Sequence, residues 1–151
     1  MKLALSSKHA IRPARLDDCS EIARLAGQLG YPATLENIRV RLGGLLMSAG
    51  DAVYVAEAAE GALAGWIHGF LSQLLESDVR VEIGGLVIAE QFRRIGLGSQ
   101  LVAYIEQWAL QHGVKEVSVR CRTTRPEAHQ FYENLGYTST KTQTVFRKRL
   151  S

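Results

Sequence analysis

Cysteine is almost absent from this chain. The two that occur, Cys19 and Cys121, lie far apart and match no metal-ligand or redox spacing. A cysteine-held metal centre and a paired redox thiol are therefore excluded as organising features. Long apolar runs are missing as well. No segment approaches the roughly 20 residues of a membrane-spanning helix. The one apolar run between Met1 and Ala10 is Leu3-Ala4-Leu5, too short for a secretory signal. There is no internal repeat, no low-complexity tract and no linker. The expectation is a soluble, cytoplasmic protein without a metal.

What is present suits a folded domain. The chain has 151 residues, of which 46% are apolar, enough to bury a core and too many for a disordered segment. We expect a single domain over residues 1–151, with its core at about 10–150. The net charge of +3 conceals a division. Residues 1–90 carry 8 Lys and Arg against 11 Asp and Glu, whereas residues 91–151 carry 10 against 4. Most of these charges serve as solvated surface, but the split points to an anionic ligand on the C-terminal half and a cationic one nearer the N-terminal half.

Hydrophobic periodicity gives the element order. Asp17 or Asp18 can cap a first helix, Asp18 and Glu21 have capping-box spacing, and Ile22, Leu25, Ala26 and Leu29 form its inward stripe. Gly30 and Pro32 end it. Thr34 can cap a second helix, with Leu35, Ile38, Leu42 and Leu45 or Leu46 facing inward, although Gly43-Gly44 weakens it. Residues 52–58 and 63–71 read as strands joined at Glu60-Gly61, a hairpin. Residues 73–78 read as a polar loop and 81–88 as a further strand. Gly84-Gly85 in the middle of that strand predicts a bulge or a close backbone approach. A helix over 98–112 follows, with Leu101, Val102, Ile105, Trp108 and Ala109 on one face. Then come a strand over 116–122, a short helix from Pro126 to about Leu135 closed by Gly136, and a tail over 137–150 read as one or two strands. The strand–helix–strand unit from Val81 to Arg122 should be a right-handed parallel crossover, and the hairpin makes the sheet mixed.

The stretch after that third strand carries the chemistry. Arg93 and Arg94 precede Gly96 and Gly98 at the mouth of a helix. Glycine permits backbone conformations and ligand approaches that other residues obstruct. The first amides of a helix lack internal partners and, with the helix dipole, suit phosphate. The arginines add charge and forked donors. A plain turn with surface arginines is the other reading of these residues alone. Two phosphate motifs are excluded. No Gly-Lys-Ser/Thr follows, as a Walker loop requires. Leu101 also stands where a dinucleotide fingerprint needs Gly or Ala.

Two motifs in series make the chain resemble the GCN5-related N-acetyltransferases. The first is Leu86-Val87-Ile88 followed by Arg93-Arg94-Ile95-Gly96-Leu97-Gly98, similar to that family's Arg/Gln-x-x-Gly-x-Gly/Ala turn. The second is Ala128-His129-Gln130-Phe131-Tyr132-Glu133-Asn134-Leu135-Gly136-Tyr137, similar to its A-x-x-F-Y-E-x-x-G-Y/F. Both in order, with a helix and a strand between them, are far more specific than either alone, and the element order matches over nearly the whole chain. One position departs from the pattern: Arg125 stands where many members carry Asn, and it is able to reach a phosphate instead.

The resemblance implies an α/β fold. Its sheet would be central, mixed and mostly antiparallel, with a parallel β-α-β unit for acetyl-coenzyme A and flanking helices. It implies acetyl transfer from acetyl-coenzyme A to a primary amine of a small molecule or protein, by direct attack in a ternary complex. The pyrophosphate would lie on the amides of Arg94, Ile95, Gly96, Leu97, Gly98 and Ser99, with Arg93 and Arg125 adding charge. Backbone groups near Leu86, Val87 and Ile88 would pair with the pantetheine arm and could polarise the thioester carbonyl. Tyr132 is the implied general acid. A phenol can protonate or hydrogen-bond a departing thiolate, though a core tyrosine in the Phe131-Tyr132 pair is the plainer reading.

An amine with an ordinary pKa of about 10.4 is almost wholly protonated at pH 7. A base is therefore needed, and Glu82, acting through water, is the candidate. Glu57 and His68 stand behind it. Cys121 reads as a buried strand residue rather than an acyl carrier. His129 reads as a helix-surface residue, and His9 and His112 as incidental. Trp66 and Trp108 read as core, with Trp66 also placed to line an acceptor pocket.

A coenzyme A-binding sensor without turnover is the alternative in a different class. Tyr132 and Glu82 favour catalysis, since a pure binder needs neither. A nucleic-acid binder finds no support, because aromatic–basic interleaving and a helix-turn-helix pattern are both lacking. The partners expected are acetyl-coenzyme A and an amine, without nucleic acid or membrane. The tail strand is able to pair between subunits, which allows a homodimer. The acceptor's identity falls on the first two helices and residues 73–78, where no motif is legible.

Overall fold

Alternation in the strand segments and a 3.6-residue stripe in the helices produce two layers of helix around one sheet. The computed structural model describes residues 9–151, in two compact units divided between Val119 and Arg120. The apolar run at residues 3–5 lies outside the described residues. In the first unit, strands β1 (Ile11–Pro13), β2 (Asp51–Glu57), β3 (Leu63–Leu74), β4 (Ser77–Ile88) and β5 (Val117–Val119) lie side by side in sequence order. The first three pairings are antiparallel, and β4 with β5 is parallel. The sheet is thus mixed and mostly antiparallel, as expected.

Helices α1 (Cys19–Gln28) and α2 (Leu35–Leu46) cover one face. Ile22, Leu25 and Leu42 pack there with Val53, Val55 and Val87. Helix α3 (Leu97–Gln111) covers the other face. Tyr54 meets Tyr104 there with ring centroids 5.3 Å apart. Gly69 lies so close to α3 that a Cβ would come within 2.8 Å of Ile105 Cδ1. Leu101, Ile105 and Ile67 are fully buried on this side, each burial worth roughly 1.5–3 kcal/mol.

The β2–β3 hairpin turns where expected. Glu60 and Gly61 both have left-handed backbone, with φ of 59° and 79°, as a tight turn between twisted strands requires. The expected bulge is also present. The β3–β4 register runs from His68↔Gly85 to Gly69↔Ile83, so Gly84 is the extra residue.

Several expectations need correction. Residues 73–78 are not a loop. Leu74 pairs with Ser77, so two twelve-residue strands meet at a two-residue turn. The polar composition there reflects the exposure of the hairpin end, not the absence of pairing. The strand expected over 116–122 is confined to Val117–Val119. Leu35 does not face inward but is exposed, and of the pair Leu45 and Leu46 it is Leu45 that packs against the core, whereas Thr34 does cap α2 by accepting from the Asn37 amide at 3.0 Å. Strand β1 gave no sequence signal, because three residues are too few to show alternation.

The capping box at Asp18 and Glu21 does not form. Both carboxylates are drawn into tertiary contacts instead. Asp18 accepts from Arg12 Nη1 and Nη2, each at 2.9 Å, and from the Arg15 amide at 2.7 Å. Glu21 accepts from Arg24 and from the Leu63 amide. Arg12 also donates through Nε to Glu57 at 2.6 Å, so one guanidinium ties β1, β2 and the entry to α1 together.

The second unit contains helix α4 (Pro126–Asn134), which opens on Pro126. Residues 137–150 form no strand, and Val145, Phe146 and Leu150 are exposed. Strand propensity expresses fit to a half-buried pleated surface, and among the described residues no strand pairing takes in this tail.

Burial alone pushes the Asp18 carboxyl up, but the hydrogen bonds and charge of Arg12, with the Arg15 amide, hold it below the ordinary carboxylate value. A depressed carboxyl stabilises the fold above its unfolded pKa and loses that contribution as pH falls through the folded one. Asp18→Asn should therefore cost roughly 2–3 kcal/mol at pH 7. In urea titrations at stepped pH, the gap from the parent protein should narrow below about pH 4.

Candidate active site

Beyond Ile88 the backbone is forced through an unusual path. A short 3-10 turn spans Glu90–Phe92, Arg93 is extended, and Arg94 takes a left-handed φ of 68°. Gly96 follows with φ of 85° and serves as the N-cap of α3. The first intrahelical bond runs from the Gln100 amide to the Gly96 carbonyl at 3.2 Å. The amides of Leu97, Gly98 and Ser99 therefore precede any i−4 partner and are available at the helix mouth. A Cβ on Gly96 would meet nothing within 4 Å, so glycine is required there by backbone angle rather than by space. Leu97 is buried and anchors the helix, while Arg93, Arg94 and Ile95 are exposed. Arg93 Nε donates to the Ile88 carbonyl at 3.2 Å, which sets its guanidinium over the end of β4. Oriented amides with flanking arginines make an anion cradle.

Strand β4 leads into that turn with one edge open. Leu86, Val87 and Ile88 pair with Ile67, Trp66 and Gly65 of β3. On the other edge, β5 pairs only with residues 81–83. Among the described residues, 84–88 keep β3 as their one partner strand. In antiparallel pairing, alternate residues turn their N–H and C=O away from the partner, so this edge presents main-chain donors and acceptors.

On the α1/α2 face, β3 presents Trp66, His68 and Phe70 in a row across Gly84 and Gly85. A Cβ on Gly84 would come within 3.1 Å of His68 Nδ1 and 3.3 Å of Phe70 Cε1. One on Gly85 would come within 3.1 Å of the Trp66 ring. His68 Nε2 is 2.8 Å from Asp51 Oδ1, whose other oxygen accepts from Ser48 Oγ at 2.7 Å. In a neutral ring, a carboxylate acceptor favours the proton on Nε2 and leaves Nδ1 as the acceptor. Glu82 lies opposite Phe70, so it shares this face, and it alternates with the buried Val81 and Ile83. Trp66 and His68 also line a cleft of about 220 Å³ between the sheet, α1 and α2.

The second unit holds Arg125 and Tyr132. Arg125 caps α4 and is exposed. Tyr132 is buried, with edge-on ring contacts to Phe131 at 4.8 Å and Tyr137 at 5.6 Å. Burial and then the neighbouring Cys121 push its phenol well above the ordinary value, so it stays protonated through the whole working range. Burial also raises the Cys121 thiol, against the charge of Arg125, which suits a packing residue rather than a nucleophile. His129 donates from Nε2 to the Arg122 carbonyl at 2.8 Å, and so ties α4 to the loop before it.

The structure thus gathers Leu86 to Ser99 into one segment and sets Glu82 further along the same strand, while Arg125 and Tyr132 share α4. The sequence singled out neither Ser48 nor Asp51. Their only signal was a polar pair at a strand entry, which any loop would carry.

The chain belongs to the acetyltransferase (GNAT) family, as an acetyl-coenzyme A-dependent N-acetyltransferase: the family's model matches residues 18–137. It is 26% identical over 151 residues to an aminoglycoside N(6')-acetyltransferase type 1 of Stenotrophomonas maltophilia, covering 97% of each chain. It is also 26% identical over 100 residues to one of Serratia marcescens, covering 66% of this chain and 65% of that relative's length. A solved structure of AAC(6')-Iy in complex with the bisubstrate analogue CoA-S-monomethyl-acetylneamine has a similar fold. Its TM-score is 0.84 at 20% identity, over 95% of this chain and all of that one. No helix among the described residues is long and apolar enough to cross a membrane.

Gly84→Ala should leave net stability within about 1 kcal/mol, lost chain entropy in the unfolded state offsetting the crowding. The added methyl should displace the His68 ring from Asp51. A changed His68 imidazole signal in nitrogen-15 NMR is the expected result, and an unchanged one would contradict the contact.

Proposed function

We propose that the chain transfers acetyl directly to a primary amine of a small molecule, with thioester and amine bound together. Bound acetyl-coenzyme A would supply an acyl group on a good thiolate leaving group. The observation that carries this reading is the turn at Arg94 and Gly96, where left-handed backbone opens a helix beside the unpartnered edge of β4. In this reading the amides of Leu97, Gly98 and Ser99 hold the diphosphate, with Arg93, Arg94 and Arg125 adding charge. The open edge at Leu86, Val87 and Ile88 holds the pantetheine amides. An N–H on that edge then faces the carbonyl oxygen, where charge develops.

Two proton positions must be managed. The amine gives up a proton as its nitrogen bonds to the acyl carbon, and the carbon–sulfur bond breaks to leave a thiolate. On the family resemblance, Tyr132 would be the group that meets the sulfur. Because its phenol is held above the ordinary pKa, it acts as a persistent hydrogen-bond donor, and full transfer would leave a costly buried phenolate. In this reading Glu82 is the base, acting through water, and a neutral His68 ring on the same face would relay the proton. The relatives' names make amino-sugar amines the natural comparison acceptors.

Tyr132→Phe should lower kcat by about 10²- to 10³-fold and change acetyl-coenzyme A affinity by less than about threefold. Steady-state rates of thiol release beside calorimetry measure both. Equal loss of both, or loss of neither, removes Tyr132 from this role. Gly96→Val should weaken calorimetric binding of acetyl-coenzyme A by more than about tenfold, since a branched residue costs about 1–2 kcal/mol in left-handed backbone and is driven out of the cradle geometry. Its far-ultraviolet circular dichroism should stay near that of the parent. Unchanged affinity would count against the diphosphate cradle.

A further inference from the structure

The cleft between α1, α2 and the sheet has a composition that restricts its ligand. Its walls are largely aliphatic, with Ile22, Leu42 and Leu45 facing Trp66 and His68. No carboxylate lines it among the described residues, and Arg41 is its one permanently charged side chain. Four acidic residues of the N-terminal half already hold cationic or imidazole partners. Asp18 and Glu57 hold Arg12, Glu21 holds Arg24, and Asp51 holds His68. A ligand with several ammonium groups would have to desolvate charges in such a cleft without counter-ions, which is strongly unfavourable.

Size and one unpaired cation narrow the ligand further. A dry cavity of about 150 Å³ accommodates benzene, so about 220 Å³ accommodates one ring or a branched chain with a short arm. Arg41, an exposed side chain in the lining, makes no ion pair among the described residues. A guanidinium is best met by a carboxylate.

We propose that this cleft takes an acceptor with one primary amine, one carboxylate and an apolar body of about one ring, as in an apolar amino acid, and selects against polycationic amino-sugars. The proposal rests on the acetyl-transfer reading above for the fate of the amine.

The test uses two readouts on the full chain. Binding is followed by quenching of Trp66 fluorescence, with Trp108, buried under α3 on the opposite face, as a constant background. Phenylalanine, phenethylamine and neamine are titrated in turn. Transfer is followed by thiol release from acetyl-coenzyme A with the same three amines. Phenylalanine should quench, and its kcat/KM should exceed that of neamine by at least tenfold. Phenethylamine, without the carboxylate, should bind about tenfold more weakly than phenylalanine. Arg41→Met should raise KM for phenylalanine at least tenfold and leave acetyl-coenzyme A affinity and phenethylamine kinetics unchanged.

Preference for neamine, no quenching by phenylalanine, or an Arg41→Met protein that handles phenylalanine as the parent does would each overturn the proposal. The two readings fail separately. Quenching by phenylalanine without thiol release would preserve the cleft's selectivity and reject acetyl transfer to that ligand. Thiol release confined to neamine would preserve transfer and reject the cleft's selectivity.

Discussion

Strand β4 gives up its parallel neighbour after Ile83 and keeps its antiparallel one to Ile88. Backbone donors and acceptors must be satisfied somewhere, so a strand paired on one edge over its last five residues can receive an extended, amide-bearing ligand there. The same strand ends in a turn whose left-handed residues point helix-mouth amides outward. One continuous segment, from Glu82 to Ser99, thereby carries a carboxylate, an open edge and an anion cradle.

The glycines at 84 and 85 serve that arrangement from the other side. The bulge at Gly84 shifts the β3–β4 register by one residue, and the missing side chains let Trp66, His68 and Phe70 lie flat across β4. His68 is then fixed by Asp51, itself fixed by Ser48. Packing and register here are consequences of two residues without side chains.

Charge in the N-terminal half works differently from what its composition implied. The acidic excess is real, but part of it stabilises local architecture. Arg12 joins Asp18 and Glu57, and Arg24 joins Glu21. A net charge counts side chains without knowing which of them are already paired. Among the described residues, the cleft lining is largely apolar with Arg41 as its permanent cation, and that combination argues for a different acceptor from the one the acidic balance suggested.

The sequence by itself determined the order of the long elements, the hairpin at Glu60-Gly61, the bulge, the helix cap at Thr34, the helix start at Pro126, and the glycine turn. Each follows from period, propensity or a backbone angle that only certain residues tolerate, and such constraints act over a few residues. The family resemblance at Arg93 to Gly98 and at Phe131-Tyr132 was legible for the same reason. Tertiary structure alone decided that residues 73–78 continue two strands, that β5 is three residues long, and that the tail forms no strand. Pairing depends on a partner distant in sequence, which local pattern does not encode. It also decided that Asp18 and Glu21 serve Arg12, Arg15, Arg24 and Leu63 rather than a capping box with each other, and that Ser48, Asp51 and His68 form one chain of contacts. Those side chains meet only because the fold brings a loop, a strand entry and a neighbouring strand to one place.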